Sequence, residues 1–506
     1  MKNGRLTSDI PVEACISTII VEIDQDRPIV DILSLQNGQE TREMECRFIA
    51  ASGMLGVGVN EDYLREAMEV RPHFVASDAG TTDAGAFALG KGISAFPREA
   101  IFRDLSILLR HTRPAKVPLI IGSVGTAGAD VHVDEFMSIV REVAAAEKLQ
   151  LKVAVIRSEQ DKAFLLEKLT QGRIRSLDPA PLFDRATIER SIRIVGMMGA
   201  EPLQAALGED VDLIVAGRCS DPALYAAMPI KMGLPHGLAW HAGKVVECGG
   251  SVCEKPAHGV IVGIVREDEV IIRPIGAGLR CTTQSVAAHS LYENGDPFFF
   301  TEASGVVDIR DATYEQIDDI SVRIRGSRFT PAAQHTVKLE GAELAGYQTV
   351  LIGGVRDPFI LAELDTWLAN VQRHVLASVE KVFGRSLEDL GARIDYHVYG
   401  RDGVMGALEP DRSFVPHEVG IVVEATAPDQ KTATALAQLT RQPLLHQPTT
   451  KWKGAITGFA CLHNPATIDR GAVFRFNVNH VVLPDTPTSM FRTTLTTIEG
   501  VEHALV

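Results

Sequence analysis

The chain has 506 residues, 45% of them hydrophobic and 23% charged, the proportions of an ordinary soluble globular protein. That length suits two to four domains and can bury a large core without staples. A net charge of −15, from 50 basic and 65 acidic residues, disfavours a nucleic-acid or anionic-membrane partner.

The seven cysteines are irregularly spaced and no CxxC pair occurs. A structural zinc site or a thioredoxin-like motif is therefore not expected, and reduced thiols in a cytoplasmic enzyme fit best. Polar and acidic residues follow Met1-Lys2-Asn3-Gly4-Arg5 where a secretory leader would be apolar. No apolar run approaches the length of about 18 residues that a membrane span needs.

In chain order, residues 1–45 read as an extension with a β-hairpin. Its arms are Cys15 to Ile23 and Pro28 to Leu35, and it would add to a sheet edge or to a neighbouring subunit. Residues 46–257 alternate strand and helix. Strands are expected at 46–51, 73–76, 117–121, 151–156 and 211–216. Helices are expected from an Asn60 cap to Val70, over 99–111, 131–147 and 161–171, and over 188–208 with a break at Pro202. This alternation predicts an α/β fold, a mostly parallel sheet with helices on both faces. From residue 258 the pattern changes to a hairpin at 260–274, further short strands, and helices at 358–384 and 429–440. A C-terminal α+β domain over 258–506 follows. No repeat or Pro/Ser-rich linker separates the two.

Gly/Asp/Arg-rich loops stand where strands should end: Ser77-Asp78-Ala79-Gly80-Thr81-Thr82-Asp83, Gly122-Ser123-Val124-Gly125-Thr126-Ala127-Gly128-Ala129-Asp130 and Gly217-Arg218-Cys219-Ser220-Asp221-Pro222. In open α/β sheets the ligand crevice lies beyond the carboxyl ends of the strands, so these loops are the candidate rim of an active site. Asp78 and Asp83 could act as acid and base or hold a divalent cation, with Thr81 and Thr82 as hydrogen-bond donors; Asx turns and capping are the plainer explanation. Asp130 reads as a helix N-cap, and together with Asp78 and Asp83 it is a candidate metal ligand. His132 is left as a ligand or base. Arg218 could clamp a carboxylate, with Ser220 and Asp221 beside it, or pair with Asp221 structurally. Glu247 before Gly249-Gly250 is an acid/base candidate. Cys248 with His241 as base is a weaker nucleophile pair, because buried cysteines are usually inert. Arg280, Lys338 and Arg356 are further cationic candidates, Thr282 or Thr283 can cap a helix, and His289 reads as a core histidine. No nicotinamide, flavin or P-loop fingerprint occurs.

Taken together, these segments resemble the acyclic terpene utilisation family. The resemblance rests on the first and third loops, Trp240-His241, Glu247-Cys248-Gly249, Arg280-Cys281-Thr282, Ser285 to Glu293, Thr336 to Gly341, Arg356-Asp357-Pro358 and Arg475 to His480. It covers roughly residues 46–495. It implies a bacterial catabolic setting, often beside CoA-transferase genes, and hence carboxylic acids or their CoA thioesters as substrates. The expectation is lyase (hydratase or dehydratase) or isomerase chemistry. Asp78, Asp83, His132 and Glu247 would be catalytic. Thr81, Thr82, Arg218, Ser220, Asp221, Arg280, Lys338 and Arg356 would bind substrate, with Mg²⁺ or Mn²⁺ on the carboxylates. A hydrolase using a thiol or a metal-activated water, and a non-catalytic ligand- or partner-binding subunit, are the alternatives. A homo-oligomer is expected on size, with a small partner subunit as a further option.

Overall fold

A computed structural model describes residues 44–452, 454 and 456–500; the hairpin expected at 15–35 lies outside them. The described chain forms two compact units. One comprises the residues up to Glu189, Arg193–Gly341 and the segment from Asn477; the other comprises Arg190–Ile192 and Ala342–Phe476. The change of character expected at residue 258 therefore falls inside the first unit, because the strands that follow it pair into the first unit's sheet.

The first unit opens with β1 (Cys46–Ala50), α1 (Glu61–Met68), β2 (Phe74–Asp78), α2 (Arg98–Ala115), β3 (Leu119–Gly122), α3 (Asp130–Ala146) and β4 (Gln150–Arg157). Local chemistry sets these elements. The Asn60 side chain accepts from Tyr63 N at 3.0 Å and so caps α1, whose buried face is Leu64 and Ala67. The chain continues through β5 (Arg193–Met197), β6 (Leu213–Ala216), α4 (Asp221–Lys231), α5 (His236–Val246), β7 (Val260–Val265), β8 (Glu269–Ile275), α6 (Thr283–His289), β9 (Phe299–Glu302), β10 (Thr313–Gln316), β11 (Val322–Arg325) and the start of β12 (Val337–Val355). The helix expected over 188–208 is interrupted by β5.

Successive strand residues point to opposite faces, and both faces are buried. Phe48, Ala50, Phe74, Ala76, Ile214 and Ala216 pack with α4 and α5. Ile49, Val75, Leu119, Ile121, Val153 and Val215 pack with α1, α2 and α3. Helices thus cover both faces of the sheet, as expected.

The sheet itself corrects the expectation of a mostly parallel one. With β15 (Arg492–Glu499) it has ten strands, in the order β10-β11-β8-β7-β1-β2-β3-β6-β4-β15. Only β1, β2, β3, β6 and β4 run parallel. The β7–β8 hairpin pairs antiparallel with β1, and β15 pairs antiparallel with β4. A hairpin extends a sheet without a crossover helix, and both additions cover edges that the parallel core would leave open.

In the second unit, β13 (Arg393–Tyr399), β14 (Val419–Ala427) and the later part of β12 form an antiparallel ladder. α7 (Leu364–Phe383) and α8 (Gln430–His446) pack on it through Trp367, Val371, Val375, Leu436 and Ala437. Asp429 caps α8. Among the described residues, no helix is long and apolar enough to cross a membrane.

Candidate functional site

The three loops that follow β2, β3 and β6 meet in the first unit. Ala79 N donates to Gly122 O at 2.9 Å, Thr126 N to Ala79 O at 3.2 Å, and Ser123 N to Gly217 O at 3.0 Å. Ser123 and Thr126 adopt positive φ, 46° and 82°, which is costly for residues with a Cβ and most of all for a β-branched one. Two glycines make the apposition possible. A Cβ on Gly80 would lie 2.3 Å from Thr126 Cα, and one on Gly128 would lie 2.0 Å from Arg218 N. Gly128 also holds φ at +64°. Gly128→Ala is expected to lower stability by about 2–4 kcal/mol, by adding backbone strain to a collision that only main-chain movement relieves. Chemical denaturation checks this, and an unchanged midpoint would remove the close approach from the account.

Beside these loops lies a cavity of about 550 Å³, within the range of small-molecule sites. Its lining includes Thr81, Asp83, Arg218, Ser220, Asp221, Lys244, Glu247, Glu293, Glu302 and Lys338. Seven of the sequence candidates, Thr81, Asp83, Arg218, Ser220, Asp221, Glu247 and Lys338, thus reach one cavity.

Arg218 is buried and fully engaged. Nε donates to Glu340 Oε2 at 2.9 Å, Nη1 to Ser123 Oγ at 3.3 Å, and Nη2 to Thr82 Oγ1 at 3.3 Å. Thr82 Oγ1 also donates to Glu340 Oε2 at 3.3 Å, and Lys338 Nζ lies 3.2 Å from Glu340 Oε1. The structural partner of Arg218 is therefore Glu340 on β12, where the sequence offered Asp221. Burial works against the Glu340 carboxylate, but Arg218 and then Lys338 outweigh it and hold its pKa at about 2.

The carboxyls around the cavity move the other way. Burial pushes Asp221 up to about 6, with Arg218 opposing and Glu293 adding. Burial also raises Glu302 to about 8, against the hydrogen bond it accepts from Ser220 Oγ at 2.9 Å. Glu247 rises to about 8 by burial, although Lys244 Nζ stands 2.6 Å from its Oε1. Asp78, at the end of β2, is buried behind the first loop. Its Oδ2 accepts from Gly80 N at 3.1 Å, its Oδ1 has no hydrogen-bond partner, and burial and then Asp221 drive its pKa well up.

The remaining candidates lie elsewhere. His132 Nδ1 accepts from Ala129 N at 3.1 Å and Nε2 lies 3.2 Å from Ala88 O. The ring thus closes the first turn of α3 and does not line the cavity. Asp130 is the first residue of α3, not its cap, and pairs with Arg492 at 2.7 Å. Asp78, Asp83 and Asp130 do not form a metal-ligating group among the described residues. Arg280 is exposed outside the cavity lining, and Arg356 is exposed in the second unit. His241 is held by Ser327 Oγ at 2.6 Å and Ser290 Oγ at 2.9 Å, and burial raises the Cys248 thiol to about 12. The thiol–imidazole pair weighed from sequence therefore finds no support. Thr282 caps α6 as expected, accepting from Ser285 N at 3.0 Å.

Sequence reasoning passed over Lys244, Glu293 and Glu302. Lys244 was findable: it stands three residues before Glu247, which puts both on one helix face. Glu302 sits in a short hairpin strand and gives no sequence signal.

A carboxyl-rich cavity beside the carboxyl ends of a parallel core is placed where open α/β sheets bind small molecules. The family model described as acyclic terpene utilisation family protein AtuA matches residues 99–455, and the chain belongs to the acyclic terpene utilisation family. That description is of a catabolic role. The match spans most of the cavity lining but begins after Thr81 and Asp83. No curated protein and no solved structure matches the chain.

Proposed function

We propose that the protein is a catabolic enzyme that moves a proton on a small branched or hydroxylated carboxylic acid, or on its CoA thioester, in lyase or isomerase chemistry. The observation that carries this reading is the pair Asp221 and Glu302, which line one cavity and are held about two pKa units apart on either side of neutrality. Titratable groups pushed apart in this way make an acid and a base available together. At neutral pH Asp221 is mostly ionised and is the base; Glu302 is protonated and is the acid. In a dehydration, Asp221 would take the proton from the carbon beside the carboxyl or thioester. Glu302 would protonate the departing hydroxyl, so that a C–H and a C–O bond break, a C=C bond forms and water leaves. With Glu247 and Glu302 protonated, the lining carries as many cations as anions, so an acidic ligand meets no excess of negative charge. Lys244, whose partner Glu247 is then neutral, and Lys338, whose side chain is far more exposed than the buried Arg218, are the cations nearest to hand.

The first test is a thermal-shift panel of free hydroxy and unsaturated acids and their CoA thioesters. A ligand at a hundred times its Kd stabilises the native state by about 2.7 kcal/mol. A rise with free acids would assign that class, and a rise with thioesters alone would move the reaction to acyl-CoA metabolism. No rise with either would favour the non-catalytic subunit.

A further inference from the structure

Two helix ends converge beside the cavity. Glu247 caps the C-terminus of α5, Cys248 follows it, and His289 is the last residue of α6. One ligand atom from each of Glu247, Cys248 and His289 lies within 4.8 Å of the others, the one such group of three among the described residues. A further observation points to a ligand. His289 is 9% exposed, yet its Nε2 is buried without a hydrogen-bond partner. A buried polar nitrogen left in that state calls for an explanation such as an ion. In addition, the ring is stacked on Tyr292 at 5.6 Å between centroids, which fixes its plane.

We propose that Glu247, Cys248 and His289 bind a transition-metal ion of the zinc class at the edge of the cavity. The donor set selects the ion. A thiolate, an imidazole and a carboxylate suit zinc and its first-row neighbours, whereas magnesium and manganese prefer oxygen alone. Bonds of about 2.0–2.3 Å at tetrahedral angles place ligand atoms roughly 3.3–3.8 Å apart, so atoms within 4.8 Å of one another close by at most about 1.5 Å to meet an ion. Lys244 holds Oε1 of Glu247, which leaves Oε2 for the metal. Binding displaces the protons of the Cys248 thiol and of the Glu247 carboxyl. Three protein ligands leave a fourth position for water or substrate, the pattern of catalytic rather than structural zinc. Because Glu247 also lines the cavity, the ion borders the space where a substrate would sit. The site does not depend on the proton-transfer reading, and its test reads metal rather than turnover.

Elemental analysis of the purified full-length chain is expected to find about one equivalent of zinc or a neighbouring first-row metal. After chelation, added Co²⁺ is expected to give the near-ultraviolet thiolate-to-cobalt charge-transfer band. Cys248→Ser should abolish the band and Cys461→Ser should keep it. His289→Gln should weaken Co²⁺ binding by about tenfold or more. Wild-type protein supplies a reading that needs no variant: Zn²⁺ should slow alkylation of Cys248, followed by mass spectrometry. Cobalt bound without the band, a band that survives Cys248→Ser, or alkylation indifferent to Zn²⁺ would each overturn the site.

Discussion

Glu340→Ala is expected to lower the stability of the first unit by about 3–5 kcal/mol, the usual consequence of removing one partner of a buried ion pair. The side chains of Arg218 and Glu340 are each 8% exposed and meet at 2.9 Å. Without Glu340 the buried guanidinium hydrogen-bonds only to hydroxyls, with the Asp221 carboxyl as its nearest remaining counter-charge. The effect should show as a lower midpoint in denaturant. The double replacement Arg218→Met/Glu340→Met should recover much of the loss, because well-packed apolar groups can replace a buried pair at little cost. A double variant no more stable than the single one would mean that the pair is not what holds these loops to β12. The pH dependence follows with a definite sign. The Glu340 pKa falls from 4.5 to about 2 on folding, so its stabilisation is complete above pH 4.5 and is lost as pH drops towards 2. The size is on the order of 3 kcal/mol. Acid unfolding of the wild type over that window should be steeper than that of Glu340→Ala.

The loops were legible in the sequence because their chemistry is local. Small residues after a short apolar run mark a strand end, and the carboxylates and Arg218 follow directly. What the sequence hid was the far side of the cavity. Residues 221–246 form two helices buried nearly all round, so they show no apolar stripe to mark a helix face. Lys244 and Glu247 therefore lost the helical context that joins them. Glu340 and Lys338 come from a strand more than a hundred residues after Arg218, and no spacing predicts such a pairing. The mixed character of the sheet was hidden for a related reason. The β7–β8 hairpin is recognisable in itself, but its attachment to β1 is a long-range pairing. The stretch that forms β5 is apolar at Ile194, Val195 and Met198, and period alone does not separate a short buried strand from a helix.

Asp221→Asn is expected to separate chemistry from stability. If Asp221 is the base, its loss should slow turnover by about 10²–10⁴-fold. It should also suppress exchange of deuterium from solvent into the carbon beside the carboxyl of a bound ligand, read by NMR. Stability at pH 7 should hold or rise. Folding raises the Asp221 pKa from 3.8 to about 6, so its contribution is complete below pH 3.8 and is lost as pH rises through 6. Above that the ionised group costs the fold on the order of 2 kcal/mol, allowing for its partial exposure to the cavity. Asparagine removes this cost and forfeits about 0.3–1 kcal/mol of favourable interaction with the N-terminus of α4, so relief wins. The stability change of the wild type between pH 4 and 6 should flatten in the variant. A melting temperature that falls together with activity would make Asp221 a structural residue of the first turn of α4. Exchange that persists in Asp221→Asn would pass the role of base to another carboxyl of the lining. Loss of exchange and turnover with the fold held or strengthened would mean that the ionised carboxyl is kept for chemistry at a cost in stability.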